Sequence, residues 1–241
     1  MIELKGLSKT YTVSGKIIKA VQPLDLTIQQ GEFVSIVGHS GSGKSTFLSL
    51  IGGIARPDAG TVSIDGTNIW GYNDKMLSKL RNEKFGFVYQ FASLIPTLNA
   101  TENVLLPTAF GGGIKAADAA NLLDLVGLGD KKDRYPSELS GGEQQRVAIA
   151  RAFVHNPEIV LADEPTGNLD SANGDAVLKL LEELNKEGTT IVMVTHSPAH
   201  AERAHRIVQL FDGNIVTEHI RKELDFFGSK DFKITANRIK K

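Results

Sequence analysis

Phe33-Val-Ser-Ile-Val37 runs straight into Gly38-His-Ser-Gly-Ser-Gly-Lys44-Ser45, and that junction decides the fold. The first five residues read as a buried strand. The next eight fit G-x-x-x-x-G-K-[ST], and a helix is expected from Lys44 to about Ile54, ended by Gly52-Gly53 and Pro57. In the order strand, glycine loop, helix, backbone N–H groups turn inward around phosphate oxygens and the helix N-terminus adds its positive dipole end. Gly38, His39, Ser40, Gly41, Ser42, Gly43, Lys44, Ser45 and Thr46 are therefore the candidate nucleotide-binding loop. Lys44 is expected on the β- and γ-phosphates of ATP and the Ser45 hydroxyl on Mg²⁺. A flexible Gly/Ser turn would explain neither the spacing nor the flanking elements. A dinucleotide fingerprint fails, because Thr46 stands where its third glycine belongs.

Working outward, Ile2, Leu4, Leu7 and Leu24-Asp-Leu-Thr-Ile28 alternate as short antiparallel strands, and Gly60–Gly66 is a β segment that turns at Asp65-Gly66. From about Phe91 to Leu139, Pro96, Pro107, Gly111–Gly113 and Pro136 punctuate helical pieces, including Ala116–Val126, which reads as a helical insertion. The core pattern resumes with helix Gly142–His155, strand Ile159–Asp163, helix Asp175–Lys186, strand Thr190–Thr195 and a hairpin over Ile207–Val216. Strands alternating with helices imply an α/β fold with a mostly parallel sheet.

The 241 residues suffice for one large α/β domain, and 41% hydrophobic content is ordinary for a globular chain. Lys plus Arg number 27 against 28 Asp plus Glu, so no net field argues for nucleic acid or an anionic membrane surface. The absence of cysteine excludes disulfides and thiolate metal sites. The start lacks the apolar run of a secretory signal, and runs such as Ile159–Ala162 have strand length. A cytoplasmic protein is expected, held at a membrane only through another chain.

Ile159-Val-Leu-Ala-Asp163-Glu164 is an apolar strand ending in two acids, a costly arrangement unless a cation is near. Asp163 suits Mg²⁺ and Glu164 suits a general base that orients the attacking water. A phosphate loop with such a strand still leaves kinases, GTPases and motors open. Leu139-Ser140-Gly141-Gly142-Glu143-Gln144-Gln145-Arg146 decides among them. Ser140 and two glycines at a helix start make a second anion-binding element, while Ser140 and Glu143 also fit a capping box.

Here the chain resembles the ABC ATPase family, whose signature is this LSGGQ-type sequence. The resemblance covers residues 1 to about 218 and implies a P-loop NTPase fold with a RecA-like core, an N-terminal antiparallel β part and a helical insertion. It also implies that Ser140, Gly141, Gly142 and Glu143 of one subunit close on the γ-phosphate held by the loop of a second copy. Tyr11 matches the aromatic that stacks on adenine. Gln90, after Phe85-Gly-Phe-Val-Tyr89, matches the glutamine that senses Mg²⁺ and water. Asn168-Leu-Asp170 matches the loop crossing to the other subunit, and His196 matches the switch histidine on the γ-phosphate. His155, His200, His205 and His219 match nothing and are expected on the surface or in packing.

Gly86-Phe-Val-Tyr-Gln90-Phe91, Leu94-Ile-Pro96-Thr-Leu-Asn-Ala-Thr-Glu102-Asn103-Val104 and Ala162-Asp-Glu-Pro-Thr-Gly-Asn-Leu-Asp170 resemble the branch of lipoprotein-releasing, macrolide-efflux and cell-division ATPases. That likeness implies an energy-coupling subunit of an exporter or extractor, working by mechanotransmission through an integral membrane permease. The apolar, proline-containing run Phe91–Pro96, expected to be exposed on the insertion, is the candidate dock for the permease's cytoplasmic coupling helix, the alternative being that Phe91, Leu94 and Ile95 pack the insertion's own small core. The alternative is a regulator that signals across the membrane to extracellular hydrolases. A soluble nucleic-acid or translation protein of this family would carry two such domains or a coiled-coil insertion. The chain departs from the branch at His39, in the Gly-rich Phe110–Ala117 segment and in its basic tail. The expected organisation is an ATP-binding domain over 1–220, with its insertion at about 91–139, and an extension over 221–241. That extension has seven basic and three acidic residues and reads as a solvated terminal extension, the alternative being a short helix with a flexible end.

Overall fold

Backbone proximity divides the chain into one unit formed by Met1–Asn73 and Val192–Lys241 and another formed by Asp74–Ile191. The computed structural model describes residues 1–110, 116–221 and 232–235. The Gly-rich stretch at 111–115 and the tail segments 222–231 and 236–241 lie outside the described residues.

In the first unit, β1 (Ile2–Val13) and β2 (Lys16–Ile28) form a hairpin from Ile2↔Ile28 at its base to Val13↔Lys16 at its tip. Ser14 and Gly15 turn it at φ 50° and 78°. β4 (Ala59–Ile64) lies on the other edge of β1, and β5 (Thr67–Asn68) completes the order β2-β1-β4-β5. Ile2, Leu4, Val62 and Ile64 are buried and meet as cross-strand pairs, which is why alternate residues of these strands are apolar. The expected Asp65-Gly66 turn is present, with both residues at positive φ.

The strand of the glycine loop, β3 (Phe33–Val37), runs parallel to β9 (Arg206–Phe211), with Val34 opposite Arg206 and Val37 opposite Gln209. β10 (Asn214–Arg221) returns antiparallel beside β9, and β11 (Phe232–Thr235) pairs with β10, where the sequence suggests a solvated extension or a short helix. Arg206 ties this edge together: it donates to the Thr27 carbonyl at 2.8 Å, reaches Glu32 at 3.2 Å and pairs with Glu218. Helix α1 (Lys44–Ile51) follows the loop and sinks Phe47, Leu50 and Ile51, each at most 1% exposed. Burial of a side chain of this size contributes about 1.5–3 kcal/mol, so the helix is anchored by its apolar face while its first turn keeps its donors. The unit boundary falls within β8 (Thr190–Thr195), every residue of which is buried.

In the second unit, α2 (Asp74–Lys84) leads into β6 (Phe85–Val88), which pairs in parallel with β7 (Ile159–Asp163) from Phe85↔Ile159 to Val88↔Ala162. Among the described residues from 91 to 139 there are only helices and turns. They are α3 (Ala100–Leu105), α4 (Ala116–Leu125) and 3-10 turns at Leu106–Phe110, Gly129–Lys131 and Pro136–Glu138. Helix α5 (Gly141–Phe153) begins inside the signature and buries Val147, Ile149 and Phe153. Helix α6 (Ser171–Lys186) starts at Asp170, whose carboxylate accepts from the Asn173 N–H at 2.9 Å.

Candidate nucleotide site

The phosphate loop lies within the first unit. Gly41 and Gly43 take φ of 80° and 101°, which bends the chain so that successive N–H groups face inward. Gly43 admits no side chain, since a Cβ there would lie 1.9 Å from the Ala20 carbonyl oxygen. It is also the N-cap of α1, which has no side-chain cap and no acid in its first turn. The orphan donors of that turn are thus left for an anion.

Lys44 is 8% exposed, and its ammonium donates to the Gly38 and His39 carbonyls at 2.9 and 3.0 Å. The cation thereby spans the loop from within. The Ser42 hydroxyl is buried without a hydrogen-bond partner, while the Ser42 carbonyl accepts from the Gly213 N–H at 3.0 Å. His39 packs edge-on against Phe211 at 5.0 Å and sits 3.3 Å from the Asp212 carboxylate. This unusual residue therefore braces the loop against the β9–β10 turn. Ser40 and Ser45 are exposed, and Thr46 is half-buried. Tyr11 lies near the hairpin tip, 39% exposed, with the Lys9 ammonium 5.4 Å from its ring centroid. His196 is exposed directly after β8. His205 is a packing residue, as expected, and its Nδ1 accepts from the Phe33 N–H at 3.2 Å.

The second unit, taken by itself, contains the acids and the signature. Asp163 ends β7, and Glu164 follows at φ 47°, a left-handed conformation that a non-glycine residue adopts at a cost. That strain turns the chain out of the strand direction at the proposed base. Next comes Asn168-Leu-Asp170, where Asn168 donates to the Gln90 carbonyl at 3.1 Å.

The main chain around Gln90 is gripped from α5. The buried Gln145 donates to the Tyr89 carbonyl at 2.8 Å, and Arg151 donates to the Ala92 and Ser93 carbonyls at 2.6 and 2.9 Å. Burial lowers the Arg151 pKa from its ordinary value. The buried Asn103 holds the next stretch, accepting from the Ile95 N–H at 2.7 Å and donating to the carbonyls of Ile95, Leu98 and Asn99. Phe91 is nonetheless 68% exposed and Ile95 40%, with Leu94 half-buried.

The signature has the capping box that its sequence suggests. Ser140 Oγ accepts from the Glu143 N–H at 3.3 Å, and Glu143 Oε2 accepts from the Ser140 N–H at 2.8 Å. Gly142 is buried against Asn173, which donates to the Asp170 carboxylate at 2.8 Å, while Gly141 and Ser140 are exposed. Lys131, from the 3-10 turn before the signature, pairs with Glu143 Oε1. Lys131 and then the Ser140 N–H hold the Glu143 carboxyl down at about 2, from 4.5. Nothing in the sequence marks Lys131, Arg151 or Asn103 individually, and Gln145 stands out there only as part of the signature. All four act through contacts that local sequence does not encode.

A model of the ABC transporter family matches residues 21–167. The uncharacterized ABC transporter ATP-binding protein YknY of Bacillus subtilis (strain 168) is 48% identical over 219 residues, covering 90% of this chain and 95% of its own. The lipoprotein-releasing system ATP-binding protein LolD 1 of Chlorobium chlorochromatii (strain CaD3) is 45% identical over 221 residues, 89% of this chain and 90% of its own. The macrolide export ATP-binding/permease protein MacB 1/2 of Paracoccus denitrificans (strain Pd 1222) is 44% identical over 221 residues, and there the chain spans only 33% of the relative's length.

Among solved structures, the bacterial ABC transporter cassette MJ0796 in dimeric form superposes with a TM-score of 0.84 at 46% identity, covering 90% of this chain and 97% of its own. Its post-hydrolysis dimer, bound to ADP and Pi, gives the same TM-score at 44% identity. With a phosphate loop built as described and matches that run over nine-tenths of its length, the chain belongs to the ABC transporter family as an ATP-binding, ATP-hydrolysing cassette.

Proposed function

We propose that this cassette is the energy-coupling subunit of a membrane exporter or extractor, closing on a second copy around MgATP and driving a permease by mechanotransmission. One observation carries the reading: the segment after Gln90 exposes Phe91 and Ile95 while its main chain is pinned by Arg151 and Asn103. An exposed apolar patch on a fixed backbone is the mark of an interface rather than of a loose loop. Burial of Leu94 alone would suit the insertion's own core, but Phe91 and Ile95 point to a docked partner, a cytoplasmic coupling helix of the permease. Export of macrolides and release of lipoproteins, named for relatives, favour this over a regulator of extracellular hydrolases. Among the described residues no helix is long and apolar enough to cross a membrane, so attachment to the inner face of the membrane would run through the permease.

In this reading the loop N–H groups and Lys44 bind the β- and γ-phosphates, and Tyr11 stacks on adenine. Ser45, Gln90 and Asp163 are the proposed contacts of Mg²⁺, on the strength of the motif set. Among the described residues no group of three His or carboxylate side chains could hold a metal. The proposed set has a single carboxylate, Asp163, with two neutral side chains, as suits an ion that also binds phosphates. When bound, Mg²⁺ neutralises charge developing on the phosphates. Glu164 accepts the proton of the attacking water, Gln90 orients that water and His196 contacts the γ-phosphate. Ser140, Gly141 and Gly142, with Glu143 beside them in the cap, meet the γ-phosphate held by the other copy. The proposed organisation is the cassette over 1–220, its coupling insertion at about 91–139 and an extension over 221–241.

Replacing Ile95 or Leu94 by Asp tests the docking surface. Basal ATPase of the isolated subunit should survive, while co-purification with the membrane permease and permease-stimulated turnover fall. Full retention of the permease by both variants places the docking surface elsewhere.

A further inference from the structure

The signature carries an electrostatic conflict. Its helix start must receive a phosphate, yet its fifth residue is Glu143, a carboxylate, where an LSGGQ-type sequence has glutamine. The capping box uses the N–H groups of Ser140 and Glu143, which leaves those of Gly141 and Gly142 as donors for a ligand at the same helix end. A negative charge beside those donors would repel the anion they are meant to hold.

The structure assigns Lys131 as the positioning residue that removes this conflict: it neutralises Glu143, so that the signature of one copy accepts the γ-phosphate held by the other. This rests on the proposed closing of two copies around ATP. Three observations support it. The Lys131 ammonium is bonded to Glu143 Oε1, while Oε2 takes the Ser140 N–H, so both oxygens are engaged and the carboxylate is fixed beside the cap. Two neighbouring cations of the same stretch are paired elsewhere, Lys132 with Asp124 at 2.9 Å and Arg134 with Glu138 at 2.7 Å. Glu143 is 16% and Lys131 34% exposed at the side chain, so solvent screens the pair only in part. Without Lys131 the charge would stay, since the cap and the helix dipole still stabilise it.

The test uses the full chain carrying Glu164→Gln, so that ATP is bound without turnover, and reads ATP-dependent dimerisation by light scattering. A charge at a helix end changes anion binding by a few-fold, and two signatures close per dimer, so Lys131→Gln should weaken dimerisation by about tenfold. Lys131→Arg should not. Binding of a fluorescent ATP analogue to the monomer should stay at the parent's value for Lys131→Gln, and the protein should remain folded with a thermal midpoint lowered only by the loss of one ion pair. The decisive arm is Lys131→Gln with Glu143→Gln: removing the orphaned charge should restore dimerisation to within about twofold of the parent. Normal dimerisation of Lys131→Gln overturns the proposal, and so does failure of the second substitution to rescue, which would make Lys131 a phosphate contact or a fold support. A Ser140→Trp variant in the same assay separates the two levels. If it dimerises normally, the closing of the signature on the other copy's ATP fails first and the role of Lys131 falls with it.

Discussion

Adding one methyl group at Gly142 should disable the signature without unfolding the protein. A Cβ there would lie 2.4, 2.5 and 2.8 Å from Asn173 Oδ1, Cγ and Cβ. Rotating the amide relieves the first two contacts but not the third, because that atom is fixed to the α6 backbone. Non-bonded carbons sit comfortably at about 3.5–4.0 Å, so the first turn of α5 or of α6 must yield by about 1 Å. Asn173 resists, with its N–H and its amide both on Asp170 at 2.9 and 2.8 Å. Overpacking of this kind costs about 1–3 kcal/mol, offset by up to about 1 kcal/mol because alanine is the better helix former. The fold therefore survives, with a modestly lower melting point.

Dimerisation should suffer far more. A charge-assisted hydrogen bond is worth about 1.5–3 kcal/mol, and a shift of the helix start spoils one such bond at each of two signatures. The combined loss is about 3–6 kcal/mol, at least a hundredfold in the dimer constant. Light scattering of Gly142→Ala in the Glu164→Gln background, titrated with ATP, measures this, and binding of ATP to the monomer serves as the control. Dimerisation at the parent's protein concentration would refute the reasoning, since a displaced signature could not then be gripping the nucleotide.

Glu164→Gln alone should bind ATP but lose about 10²–10⁴-fold in steady-state turnover, the usual worth of a positioned base, and near-normal phosphate release would remove Glu164 from that role. Glu143, held at about 2 against 4.5 by Lys131 and the Ser140 N–H, should stabilise the fold fully above pH 4.5 and lose its contribution as pH falls from 4.5 towards about 2. Melting curves of wild type and Glu143→Gln across that range should converge only below pH 4.5, and convergence already at neutral pH would contradict the pairing.

The phosphate loop and the signature were legible because a chain that wraps phosphate with its own N–H groups has few choices of residue. Gly43, at φ 101° against the Ala20 carbonyl, is a backbone requirement that shows in sequence. Helix α2 left no comparable mark, since Leu77 alone of its 11 residues is buried and no apolar period forms. The β1–β2 hairpin is far longer than its alternation suggests, because its outer half exposes Val13, Ile17 and Ile18 and its register shifts three times between Leu4 and Thr10. Lys131, Gln145 and Arg151 reach partners 12, 56 and up to 59 residues away, so their roles arise only when the chain has folded. The left-handed turn at Glu164 was likewise invisible, because nothing about a glutamate announces a positive φ.

The hydrogen bonds of Gln145, Arg151 and Asn103 to the segment from Tyr89 to Asn99 go to its main-chain groups. A clamp of that kind is indifferent to what the segment displays. The outward-facing positions are free to be rewritten, one apolar pattern exchanged for another, while the stiffness of the backbone stays the same. If the proposed docking holds, one engine block could be fitted to many different membrane chassis by changing only this flange.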